Sequence, residues 1–397
     1  TNGTDWSNVT GATSAAYTIN TPSVSLNNNQ YRVVVSGTAP CSAVTSDAAT
    51  LTVNEIVAIT AQPVAVTQCS TESTASFSVT ATGTGLGYQW QYATNGTTWN
   101  DYVGATSSTL TVDAPATYAG NSFRCVVSGT APCTSVTSNA VVLNVSQILG
   151  GTYTVGTGGN YATITAAVTA YNNAICFSDN VVFNLTDATY STAETFPIVI
   201  NQNANIGAYT LTIKPASGVS PTISGTSTAA IIKVNGADNV TIDGSNNGSS
   251  SRDLSIVNNS TSGSSVVWIA STGGATSGAN NITVKNTKVK GGSGSTSGIY
   301  GIVSSTTSSF TTGAENNDNL VIQNNEVTKV YNGITAFNNS TSTQDGLLIS
   351  GNTVGSTVNA DRVIFRGIQV TYVNDPIISS NSIIELVRSE ERRVGKE

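Results

Sequence analysis

Histidine and methionine are absent from the 397 residues, and only 9% of positions are charged and 7% aromatic. Soluble chains ordinarily carry roughly 25% charged residues. Without histidine there is no Ser-His-Asp triad, no Cys-His pair and no imidazole ligand for a metal. Without methionine not even an initiator is present, so the chain is expected to be a fragment or a processed product of a longer protein. The net charge of −7 and the pI near 4.6 argue against nucleic acid, which requires clustered Lys and Arg to neutralise phosphates. No apolar run approaches the roughly 20 residues of a membrane-spanning helix, so no span is expected here. What replaces charge is Ser, Thr, Asn and 37 Gly among alternating β-branched residues. That pattern predicts an all-β chain of about two or three domains.

The first 147 residues contain a repeat. Thr1-Asn2-Gly3-Thr4-Asp5-Trp6 returns as Thr94-Asn95-Gly96-Thr97-Thr98-Trp99 at an offset of 93, and Ser36-Gly37-Thr38-Ala39-Pro40-Cys41 returns as residues 128–133 at an offset of 92. Such a period fits one β-sandwich module. In the complete copy, residues 75–81, 88–91, 109–112, 123–127 and 136–145 read as strands. Phe77 and Val79 share a face, and Trp90 is the expected core anchor. Asn95-Gly96 predicts a hairpin with a type I′ turn. Trp6 and Trp99 hold equivalent positions and read as structural. The module at 57–147 resembles the bacterial immunoglobulin-like domains found in tandem on secreted proteins. Residues 1–56 then form a truncated module with an open core face, expected to be poorly stable alone.

Cysteines stand at 41, 69, 125, 133 and 176. Cys133 recurs as Cys41 in the first copy, whereas Cys125 is replaced by Val33. A recurring cysteine is expected to have a recurring partner, which favours a Cys69–Cys133 disulfide worth about 4 kcal/mol in the chain-entropy model. Cys69–Cys125 is the competing pairing, and small buried thiols are the third reading. No Cys-x-x-Cys occurs, so zinc ribbons and redox motifs are not expected. A bridge would imply an oxidising compartment.

After Gly150-Gly151 the pattern changes. Residues 164–171 read as the one short helix, capped by Thr163. A helix here would cover the open end of a solenoid. Next comes a recurring motif: Ile256-Val257-Asn258-Asn259, Val284-Lys285-Asn286-Thr287, Ile322-Gln323-Asn324-Asn325, Ile349-Ser350-Gly351-Asn352 and Ile378-Ser379-Ser380-Asn381, at spacings of 28, 38, 27 and 29. Val289, Val327, Val354 and Ile383 follow as a second apolar position. One coil per repeat predicts a parallel β-helix over 151–387, its apolar residues stacked inside and its turn asparagines forming ladders. Further strand signals lie at 298–303, 333–336 and 367–370.

This half resembles the right-handed parallel β-helices of the pectin-lyase-like superfamily. Residues 156–168, GTGGNYATITAAV, are similar to a structural start in the pectinesterase family that is not its active site. The stretches NVVFNLTDATYS (180–191), LTIKPASG (211–218) and NGADNVTIDGS (235–245) resemble large Bacteroidetes surface proteins that join immunoglobulin-like modules to a β-helix. That resemblance implies an exported, extracellular or cell-surface protein and carries no established reaction. Residues 388–397 concentrate seven charges, resemble translated sequencing-adapter read-through, and are excluded from fold and function.

Chemistry on such a scaffold requires converging carboxylates. The candidates are Asp238, Asp243, Glu315, Asp318, Glu326, Asp345, Asp361 and Asp375, mostly beside Asn or Gly in turns, where Asp bonds the local backbone. Asp361, Arg362 and Arg366 form the most charged internal cluster and the weak catalytic candidate; surface ion pairing is the plainer reading. Trp268, Tyr300, Tyr331 and Tyr372 fall near solenoid strands and could form an exposed stripe that stacks pyranose rings. Turn Asn and Asp oxygens suit Ca²⁺, but no complete Ca²⁺ loop occurs and no cofactor is expected. The reading is a secreted adhesin or structural protein that meets extracellular glycans or cell-surface components. A polysaccharide lyase or hydrolase is the rival.

Overall fold

The computed structural model describes residues 4–273, 278–292, 298–340 and 344–386. The C-terminal string 388–397 lies outside the described residues. Two compact units divide the chain after Ser146. The protein is all-β, with one α-helix among the described residues. No helix among them is long and apolar enough to cross a membrane.

In the first unit, residues 57–146 build small, mainly antiparallel sheets around one apolar core. Gly87–Ala93 pairs with Ser122–Ser128, and Thr74–Ser78 pairs with Thr109–Asp113. Alternation along each strand turns Phe77, Trp90, Leu110, Phe123 and Leu143 into a shared interior. Trp90 is wholly buried and donates its indole N–H to the Ser107 carbonyl at 3.0 Å. The Asn95-Gly96 turn differs from expectation. Only Gly96 has positive φ, so the turn is not type I′. Asn95 Oδ1 instead accepts from the backbone N–H of Thr97 (3.0 Å) and Thr98 (2.8 Å), a side-chain turn that supports a longer loop.

The first copy shows the same local chemistry without the core. Arg32 lies 4.1 Å over the Trp6 ring and Arg124 lies 4.1 Å over the Trp99 ring, a cation–π pair repeated in both copies. Yet Val33 and Val35 are 47% and 62% exposed, whereas their counterparts Cys125 and Val127 are fully buried. The equivalents of Leu110 and Val112 are Tyr17 and Ile19, and Tyr17 is exposed as well. Among the described residues of the first copy no strand covers this face.

Neither expected disulfide forms. Cys69 is disulfide-bonded, but Cys125 and Cys133 are both free thiols. Cys133 donates weakly to the Glu55 carbonyl at 3.5 Å. Cys125 faces the core in register with Trp90, where it packs as a small hydrophobe. Recurrence of a cysteine in two copies therefore marks a shared turn, not a shared bridge. Burial pushes the Cys125 thiol up to about 11 from 9.0. With iodoacetamide at pH 8, exposed Cys41 is expected to be alkylated more than about tenfold faster than Cys125, whose thiol is buried and held protonated. Equal rates by peptide mass spectrometry would contradict the buried assignment.

The second unit is a right-handed-type parallel β-solenoid of about 7 turns. Its three parallel sheets have eight, seven and six strands. Sheet 1 begins at Leu149–Val155 and ends at Ile377–Ser379. Sheet 2 begins at Thr189–Tyr190 and ends at Ser382–Ile384. Sheet 3 begins at Ile198–Asn201 and ends at Arg366–Thr371. The helix Ile164–Asn173 covers the first coil with Ile164, Ala167, Val168 and Tyr171. Thr163 caps it, accepting from Ala166 N–H at 3.0 Å. Glu194 adds a carboxylate at the same end, accepting from Ile164 N–H (2.7 Å) and Thr165 N–H (2.8 Å), where the helix dipole favours negative charge.

The predicted column exists. Val284, Ile322, Ile349 and Ile378 follow one another in register through sheet 1. Val289, Val327, Val354 and Ile383 form the matching column in sheet 2. One motif joins a different column from the one its spacing predicts. Val284 stacks on Ile242, not on Ile256. Ile256 instead stacks beneath Val289 in sheet 2. Both sheets carry Ile or Val shortly before Asn, so spacing alone does not separate them. The signals at 298–303, 333–336 and 367–370 are sheet 3.

Candidate functional site

Every corner of the solenoid must satisfy backbone groups that no longer pair along a strand. Between sheets 1 and 2, Asn286, Asn324, Gly351 and Ser380 adopt φ of 58°, 52°, 65° and 57°, and the next residue turns inward. Asn325 Nδ2 donates to the Val284 carbonyl (2.9 Å) and to Asn352 Oδ1 (3.0 Å). Asn352 Nδ2 donates to the Ile322 carbonyl (2.8 Å) and to Asn381 Oδ1 (2.9 Å). This inner ladder is dry, with Asn325 and Asn352 buried.

Five of the eight candidate carboxylates are engaged by turn ladders or ion pairs. At the corner before sheet 1, Asp238 accepts from Asn280 N–H (2.8 Å), and Asp318 from Asp345 N–H (2.8 Å). Asp345 accepts from the Asn374 amide at 2.7 Å. Asp375 occupies a left-handed turn position with φ of 43°. Asp243 pairs with Lys285 at 3.2 Å and accepts from Asn286 Nδ2 at 2.7 Å. Glu326 lies in register beside Lys288, and Glu315 N–H donates to the Ser271 hydroxyl at 3.0 Å. The Asp361, Arg362 and Arg366 cluster disperses. Asp361 pairs with Lys290 at 2.9 Å, Arg362 with Glu385, and Arg366 with the Gln369 amide. Among the described residues no three His, Cys, Asp or Glu are grouped to hold a metal ion.

Arg252, unmarked by any sequence signal, straps the polar loop before sheet 2 across the coils. Its Nε donates to the Asn324 carbonyl (2.8 Å) and Nη2 to Asn324 Oδ1 (2.9 Å), with a longer contact to Thr353 Oγ1 (3.3 Å). In the same loop, hydrogen bonds from Ser251 and Asn246 hold the Asp253 carboxyl below its usual range. Arg252→Ala is expected to cost about 2 kcal/mol, the scale of a charged group's hydrogen bonds. The check is faster amide exchange over residues 244–253 by mass spectrometry; unchanged exchange would remove the strap role.

The aromatic candidates divide. Tyr372 is 54% exposed, whereas Tyr331 is partly buried against the solenoid core. Tyr331 stacks on Phe365, with centroids 5.1 Å apart, and the Arg366 guanidinium lies 4.4 Å over Phe365. Tyr331 and Phe365 each precede a sheet 3 strand, so they mark one corner in successive coils. Phe365 was missed because no repeat in the sequence marks it.

Trp268 and Tyr300, expected in an exposed stripe, are buried. Both face outward from sheet 3, but Phe310 covers them, 4.4 Å from Trp268 and 5.5 Å from Tyr300. They form a second apolar cluster outside the solenoid interior. Lys233 joins it, with Nζ 4.1 Å from the Trp268 ring and donating to Thr307 Oγ1 (2.7 Å) and the Thr307 carbonyl (3.1 Å). Burial lowers the Lys233 pKa, and raises that of Tyr300 against the opposing charge of Arg366. The reason is topological: the segment between sheet 3 and sheet 1 folds back over the strands, and local sequence does not show that path.

Residues 57–147 match the family described as a domain of unknown function, DUF8696. No curated protein matches the chain.

Proposed function

We propose that this chain belongs to a secreted cell-surface protein that contacts glycans or neighbouring cells through the outer surface of its β-solenoid. The N-terminal modules, immunoglobulin-like in their sequence pattern, act as spacers. In this reading the solenoid is of the pectin-lyase-like type and the setting is that of Bacteroidetes surface proteins. The single observation that carries it is the division of labour on the solenoid. Asp238, Asp318 and Asp345 serve turn ladders and Asp243 and Asp361 serve ion pairs, while aromatic side chains gather on sheet 3 and its corner. Aromatic faces with a few polar neighbours suit sugar rings. The repeated Arg–Trp pair suits a spacer built from copies of one module, and an oxidised Cys69 fits an oxidising compartment.

The test is direct. The intact protein, fluorescently labelled, is applied to a glycan array and to bacterial and host cell surfaces. Binding that is lost in a Tyr331→Ala, Phe365→Ala double variant supports the proposal; no binding to any glycan or cell surface overturns it. Release of reducing or unsaturated sugar ends from polysaccharides would instead favour the β-helix lyase or hydrolase reading.

A further inference from the structure

The outward face of sheet 3 carries two features that the ladders and columns do not explain. The first is a pair of buried polar atoms without partners. Asn332 is 5% exposed and Thr335 fully buried, and neither Asn332 Oδ1 nor Thr335 Oγ1 has a hydrogen-bond partner among the described residues. Register places them. Tyr300, Asn332 and Arg366 follow one another across three coils, and Val303, Thr335 and Gln369 form the neighbouring row. Val303 and Tyr300 belong to the outward cluster, so Asn332 and Thr335 face outward beside it. Leaving such atoms unpaired costs free energy, and each calls for an explanation.

The second feature is the cover. The segment 306–314 leaves the sheet at Thr307, whose N–H donates to the Ser271 carbonyl at 2.8 Å, and returns at Ala314, whose N–H donates to the Phe337 carbonyl at 2.7 Å. Between these anchors Phe310 rests on Trp268 and Tyr300. One aromatic ring on a short loop thus occupies the faces of two others.

We infer that segment 306–314 is a lid over a saccharide subsite on sheet 3. A neutral pyranose displaces the Phe310 ring, stacks on Trp268 and Tyr300, and gives hydroxyl hydrogen bonds to Asn332 Oδ1 and Thr335 Oγ1. The inference rests on the glycan-contact reading and assigns it a place and a ligand class. Neutral sugar is favoured because the unmet groups are an amide oxygen and a hydroxyl, which hydroxyl groups satisfy. The nearby cations are already engaged, Lys233 by Thr307 and Arg366 by Gln369 and Phe365.

The experiment uses the full chain and calorimetric titration with three probes: β-1,4-linked glucose hexamer, β-1,3-linked glucose hexamer and a hexagalacturonide. Phe310→Ala is expected to bind at least one neutral hexamer about tenfold more tightly than the parent, because no ring must be displaced. Adding Thr335→Val, a change that keeps the shape and removes the hydroxyl, is expected to reverse that gain about tenfold with an equal or higher melting temperature, because it also removes an unpaired buried hydroxyl. Phe310→Ala binding no neutral hexamer more tightly, or Thr335→Val leaving a gain intact, overturns the subsite. Tighter binding of the hexagalacturonide alone overturns the neutral assignment. The two readings separate on the glycan array: parent binding that both variants leave unchanged removes the subsite and keeps glycan contact, whereas no binding by parent or variants removes both.

Discussion

Replacing Asn325 by alanine is expected to destabilise the solenoid by about 4 kcal/mol, since each buried group left unpaired costs roughly 1–3 kcal/mol. Asn325 Oδ1 accepts from the Thr287 N–H (3.0 Å) and hydroxyl (2.7 Å), while Nδ2 serves the Val284 carbonyl (2.9 Å). Alanine strands all three groups in a site that water does not reach. Asn281 provides the contrast. It also belongs to a ladder, accepting from Asn319 Nδ2 and donating to Asn239 at 2.9 Å, but it lies in an exposed row. Its replacement by glycine, which keeps the left-handed φ of 57°, is expected to cost under about 1 kcal/mol, because water replaces the lost partners. Amide exchange at 283–289 and 321–327, read by mass spectrometry, measures both. Comparable acceleration in the two variants would show that burial does not set the ladder's worth.

The second large effect concerns the column. Ile322 is fully buried between Val284 and Ile349, and Ile322→Ala is expected to cost about 3 kcal/mol, the transfer and cavity terms together. Ile378 occupies the same column but is 46% exposed, so Ile378→Ala is expected to cost less than about 1 kcal/mol. Because each coil contacts only its neighbours, the loss is local before it is global. Denaturation followed by circular dichroism, with exchange at the flanking strands, gives both values. A small effect at Ile322 would mean that the rungs are loosely packed and the column is not the source of stability.

Parts of this architecture were legible from residue order because they follow from local rules. Thr163 caps a helix wherever its hydroxyl can reach the third following N–H, and it does so here. The columns at Val284 and Val289 were visible because coils of similar length must repeat their apolar positions to bury them. The misplacement of Ile256 marks where that reasoning stops. Sheets 1 and 2 use the same apolar-then-Asn vocabulary, and only the three-dimensional register distinguishes them. The Cys69–Cys133 expectation stopped for a related reason: a repeat reports equivalent positions within a module and not what lies against them.

The candidate site was less legible than the fold. Trp268 and Tyr300 were correctly placed on strands, but their exposure depended on Phe310, which lies on a segment without periodicity. Asp238, Asp318 and Asp345 read as turn residues and are turn residues, because Asp and Asn bond neighbouring backbone in any such corner. Arg252 and Glu194 carried no signal at all, since each acts on a backbone group contributed by a distant coil or helix.

The sequence by itself determined that the chain is all-β, that a module is repeated before a solenoid, and which side chains fill the rungs, because period and alternation are properties of neighbours along the chain. The tertiary structure alone decided which column each rung joins, which aromatics are covered, which thiols stay free and which polar atoms remain unpaired. Those depend on contacts between segments tens of residues apart, where the path of the connecting loops, and not the residues themselves, sets who meets whom.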